Sequence, residues 1–143
     1  MTRALTIVAA AFCIGAAQSN SPPHDLPQPY QTTRDWGELP PGMKWAAVTA
    51  IEPAPDGSIF VVHRCLVNCC AIRPEAPILK YDANGKLLAS WGARMFIFPH
   101  GATVDRDGNL WVTDARPSTS LGASGLGHQG FKFSPEGKVL MTL

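Results

Sequence analysis

The chain has 143 residues, 12 Lys and Arg against 11 Asp and Glu, a net charge of +1, and 45% hydrophobic residues. That length holds one modest domain, and so even a charge balance excludes the electrostatic footprint of a nucleic-acid or anionic-membrane binder. Thirteen Gly and 13 Pro beside only 16% charged residues point to a turn-rich β protein rather than a helix bundle.

Arg3 supplies one positive charge, and the next fourteen or so residues are almost wholly apolar or small, ending in Gly15, Ala16 and Ala17 ahead of Gln18. This is the layout of a secretory signal peptide over residues 1–17, and the apolar run is too short for a membrane span. A lipoprotein anchor at Cys13 fits less well, because bulky Phe12 stands where a small residue is wanted. Cleavage predicts an exported chain, periplasmic or extracellular, with no membrane attachment. It also removes Cys13 and leaves Cys65, Cys69 and Cys70 in an oxidising compartment. Vicinal cysteines pair only with strain, so the expected bridge joins Cys65 to Cys69 or to Cys70. A soft metal site on His63, Cys65 and Cys69 is the alternative, although no C-x-x-C spacing supports it.

Residues 18–44 carry Pro22, Pro23, Pro27, Pro29, Pro40 and Pro41. Missing donors and fixed φ angles make this an extended leader, lying on the domain or free in solvent.

Two in-register copies follow. Asp56-Gly57-Ser58-Ile59-Phe60-Val61-Val62 matches Asp107-Gly108-Asn109-Leu110-Trp111-Val112-Thr113 at an offset of 51 (107 − 56). Lys80-Tyr81, followed by Gly85-Lys86-Leu87, matches Lys132-Phe133 and Gly137-Lys138-Val139 at an offset of 52 (132 − 80). Periods of this size mean propeller blades or solenoid units. Asp-Gly and Asn-Gly between apolar runs supply the positive φ of tight hairpins, so each copy is expected to be a four-stranded antiparallel meander. The fold class is therefore all-β, a partial β-propeller of two blades at 45–92 and 93–143. Propellers close with about 4–8 blades. Two blades are expected to leave one apolar face uncovered on each, to require the remaining blades or self-association, and to be part of a larger protein.

Antiparallel pairing brings Val48, the His63–Arg64 pair, His100 and Asp114 to one mouth of the blades. His100, in Pro99-His100-Gly101, sits where the innermost strand begins, a position from which an imidazole can reach a shared axis and a metal. A turn histidine bonded to backbone is the competing reading. His24, His63 and His128 do not occupy equivalent positions. Arg64 can hold a carboxylate bidentately, or be only a charge at a strand end. Asp114 reads better as a loop-fixing acid than as a catalyst. The Gly122–Gly127 segment lacks the Lys and Ser or Thr of a phosphate cradle and reads as a loop.

Trp36-Gly37-Glu38-Leu39-Pro40, Phe60-Val61-Val62-His63-Arg64, Pro99-His100-Gly101, the run from Asp107 to Asp114, and the run from His128 to Phe133 together resemble the NHL-repeat propellers of the peptidyl-α-hydroxyglycine α-amidating lyase family. The resemblance implies a six-bladed propeller and a lyase that splits peptidyl-α-hydroxyglycine, or a small amide analogue, into an amide and glyoxylate. It implies zinc held by one histidine from each of three blades, His100 matching the first. It makes Arg64 an active-site arginine that engages the substrate. It also places Ala102 and Val48 where backbone carbonyls hold a structural calcium. The other two zinc histidines have no match, so a fragment inactive alone is expected. The alternative is a non-catalytic, exported NHL propeller that binds a ligand or protein.

Overall fold

Short runs of β-branched and aromatic residues, each bounded by Asp-Gly or Gly-Lys, fold back on themselves into eight strands. In a computed structural model the described residues are 29–65, 68–71, 73–117 and 125–143. The chain divides into two units, Met1–Thr32 and Thr33–Leu143. The expected signal peptide, the leader to residue 28 and the first half of the Gly122–Gly127 loop lie outside the described residues. The second unit contains β1 (Val48–Pro53), β2 (Ile59–His63), β3 (Ile78–Tyr81), β4 (Leu87–Trp91), β5 (Pro99–Val104), β6 (Leu110–Asp114), β7 (Gly130–Phe133) and β8 (Val139–Thr142). No helix occurs among the described residues.

Two antiparallel sheets result, in the order β1-β2-β3-β4 and β5-β6-β7-β8. The all-β, two-blade fold class expected from the repeat is what the chain adopts. The repeat is visible in detail. Gly57 and Gly108, at equivalent positions of the first hairpin turn, both have φ +82°, a conformation that an L side chain adopts only with strain. In the first sheet Val61 pairs with Leu79. In the second, Val112 pairs with Phe131 at the equivalent places.

The two meanders pack as consecutive blades do. Innermost strands β1 and β5 are neighbours. One face of the first sheet, with Phe60, Val62 and Ile78, buries itself against Leu110, Val112, Phe131 and Phe133 of the second. Trp91 fills this interface, its ring 5.8 Å from that of Phe60 and 6.4 Å from that of Phe133. Each fully buried Phe or Leu there is worth about 1.5–3 kcal/mol, so this shared core is the main reason the two sheets hold together.

The opposite face of the first sheet is covered as well, which corrects the expectation of one bare face per blade. Leu39 and Met43 of the leader pack on Val61, Leu79 and Tyr81. Trp36 and Trp45 lie 5.4 and 6.3 Å from the Tyr81 ring. The leader thus covers Val61, Leu79 and Tyr81, the counterparts of the Val112, Phe131 and Phe133 that pack on the preceding blade. The second sheet has no such cover among the described residues, and Val139, Leu140, Met141 and Leu143 are exposed.

Candidate active site at the blade mouth

Antiparallel register decides what meets at the mouth. Val48 pairs with His63, and Pro99 pairs with Asp114. Residues that follow β2, precede β5 and follow β6 therefore converge.

The approach to His100 is held by Asp114. This carboxylate is 3% exposed and accepts two backbone N–H bonds, from Ile97 at 2.7 Å and from Phe98 at 2.6 Å. Bonds of this charge-assisted kind are about twice as strong as neutral ones. They set the path of residues 97–98 into β5, and with it the position of Phe98, whose ring lies 6.1 Å from the His100 ring. His100 itself is exposed.

Arg64 reaches over from the end of β2. Its guanidinium carbon is 3.7 Å from the centroid of the Phe98 ring, its Nε donates to the Pro99 carbonyl at 3.3 Å, and its Nη1 donates to Asn68 Oδ1 at 2.9 Å. Arg116 approaches the same ring, its guanidinium carbon 4.2 Å from the centroid. Among the described residues the ion pairs are Arg73–Glu75, Lys80–Asp56 and Lys132–Asp105, none of which involves Arg64 or Arg116. Val48 and Ala102, where the family resemblance implies calcium-binding carbonyls, lie at the start of β1 and within the neighbouring β5.

His63 takes a structural role. It is 1% exposed, its Nδ1 accepts the Cys65 N–H at 3.1 Å, and its Nε2 lies 3.1 Å from the Ala76 carbonyl. Since Nδ1 is an acceptor, Nε2 carries the proton and donates it to that carbonyl. Burial lowers the pKa of this imidazole, against the opposing pull of the Ala76 carbonyl and the Glu75 carboxylate. The Glu75 carboxyl is in turn held below its usual range by hydrogen bonds from Arg73. Cys65 is bridged to Cys70, with Cα atoms 5.2 Å apart, and Cys69 is a free, half-buried thiol. The bridge resolves the pairing left open by the sequence in favour of Cys70. It also removes the alternative metal site on His63, Cys65 and Cys69, since a disulfide sulfur is no thiolate and both His63 nitrogens are used.

The donor set therefore does not complete a zinc site. Catalytic zinc takes three protein ligands. Among the described residues no three His, Cys, Asp or Glu side chains gather to hold a metal ion. Phe98, Asn68 and Arg116 were not legible as site residues from spacing alone, because the loops that carry them follow no periodicity.

No protein-family profile matches the chain. Individual proteins do. Peptidyl-alpha-hydroxyglycine alpha-amidating lyase 2 of Drosophila melanogaster is 34% identical over 114 residues, which covers 67% of this chain and 25% of the relative. The chain is homologous to the amidating lyases. Lyase 1 of the same fly is 31% identical over 122 residues, covering 71% of this chain and 20% of that protein. Peptidyl-glycine alpha-amidating monooxygenase B of Xenopus laevis is 56% identical over 41 residues, 28% of this chain and 5% of that protein. The chain thus spans about a quarter or less of the length of these amidating relatives.

Proposed function

We propose that this chain supplies part of a lyase site that converts a peptidyl-α-hydroxyglycine to a peptide amide and glyoxylate. The observation that carries the reading is Arg64, fixed over Phe98 and hydrogen-bonded to the Pro99 carbonyl next to His100, in a homologue of the amidating lyases. In this reaction the carbinol hydroxyl loses its proton, its oxygen electrons form the aldehyde C=O, and the C–N bonding pair leaves on the amide nitrogen, which is then protonated. The carboxylate of the hydroxyglycine passes unchanged into glyoxylate. Arg64 pairs with that carboxylate and holds the scissile bond in register.

In the same reading His100 offers one imidazole to a zinc ion, and the carbonyls of Val48 and Ala102 are offered to calcium. The described residues do not complete the zinc set. Export fits the Cys65–Cys70 bridge, since disulfides persist in oxidising compartments.

The test is a chimera in which this chain replaces the aligned segment of the fly lyase 2. Glyoxylate release from N-benzoyl-α-hydroxyglycine is expected, with kcat/KM reduced about a hundredfold or more by Arg64→Gln. A chimera that melts cooperatively and binds the substrate without releasing glyoxylate would overturn the lyase reading in favour of a binding module.

A further inference from the structure

Two cations share one aromatic ring at the blade mouth. The distances of 3.7 and 4.2 Å from the Phe98 centroid put the two guanidinium carbons within about 8 Å of each other. Neither has a carboxylate partner among the described residues. Residues 66, 67, 72 and 118–124 of the adjoining loops contain no Asp or Glu.

Arg116 is moreover held at its backbone. The Ala115 N–H donates to the Phe98 carbonyl and the His128 N–H donates to the Arg116 carbonyl, both at 3.1 Å. Gly127, at φ +87°, packs so closely on that carbonyl that a Cβ there would collide with it. The base of the β6–β7 loop is therefore shaped around Arg116, and its side chain starts from a fixed point.

We infer that Arg116 is a specificity-determining residue that takes a second carboxylate, from an acidic residue directly before the C-terminal glycine unit whose own carboxylate Arg64 takes. The inference rests on the function proposed for Arg64. Two like charges held close without an ion pair among the described residues favour a ligand that carries two negative charges over one that carries a single charge. Phe98 supports both guanidiniums from one ring, which limits the side-chain entropy that each loses on binding.

The experiment uses the full chain with two unreactive probes of equal shape, acetyl-Asp-Gly and acetyl-Asn-Gly. Affinity is measured by calorimetry, and the Arg Nε–H resonances are followed by NMR. The Asp peptide is expected to bind about fivefold more tightly, the scale of one exposed ion pair, with the Arg116 Nε–H signal shifting only for that peptide. Arg116→Gln should bring the ratio to about one, and Arg116→Lys should keep part of it. Arg64→Gln should weaken both peptides and leave the ratio. Equal affinity of the two peptides for the unaltered chain, or a ratio unchanged in a folded Arg116→Gln chain, would overturn the inference. Unchanged affinities in Arg64→Gln, with the ratio still lost in Arg116→Gln, would instead overturn the carboxylate role of Arg64 on which the inference rests.

Discussion

Asp114 sets the sharpest test of how the mouth is built. Replacing it with Ala leaves the Ile97 and Phe98 N–H groups without an acceptor, in a position where the carboxylate was almost wholly buried. Hydrogen bonds to a charged group contribute about 1.5–3 kcal/mol each, so the loss of two comes to about 3–6 kcal/mol. Against a total stability of about 5–15 kcal/mol, that is a large fraction. Asp114→Asn keeps one acceptor oxygen and should cost roughly half as much. Urea denaturation of the full chain gives the two free energies. Amide hydrogen exchange locates the damage: Ile97 and Phe98 should lose protection in Asp114→Ala, while Val61 and Leu79 in the first sheet keep theirs. A loss below about 1 kcal/mol, or intact protection at residues 97 and 98, would refute the claim that this carboxylate holds the approach to β5.

Two further outcomes follow from the first loop. The Cys65–Cys70 bridge closes a separation of five residues, so Cys65→Ala with Cys70→Ala should cost about 2 kcal/mol in urea denaturation, whereas Cys69→Ser should stay within about 0.5 kcal/mol. An equal cost for Cys69→Ser would show that the pairing is different. For His63, the folded imidazole has a pKa below the ordinary 6.5, so between those two values the unfolded chain binds more protons and stability rises with pH. Its stabilisation is complete above about pH 6.5 and is lost as pH falls towards the folded pKa. The melting temperature should drop from pH 6.5 to 5, and His63→Gln should flatten that slope, since the Glu75 carboxyl, lowered by Arg73, stays ionised there. Parallel slopes for the two proteins would rule out His63 as the source.

Much of this architecture was readable from spacing. Asp56-Gly57 and Asp107-Gly108 mark turns that only a positive φ allows, and the register of Lys80 with Lys132 forces the second hairpin of each copy into place. The positions of Arg64 and His100 at one mouth followed from antiparallel pairing alone. The companions of Arg64 did not. Phe98 looks in sequence like one more apolar residue before a proline, and Arg116 like a loop charge. Neither obeys a period of two, because each sits where the chain has left its strand and is positioned by a contact from a different segment.

Local sequence determined the strands, their order and their turns, since these depend on neighbours a few residues apart and on the conformations that Gly and Pro allow. Only the tertiary structure decided that Trp36, Leu39, Met43 and Trp45 cover the first blade, that Cys70 rather than Cys69 closes the bridge, and that His63 is spent on backbone. Each of those depends on burial and on distances across tens of residues, where several partners satisfy the same local rule and the packing of the whole selects one.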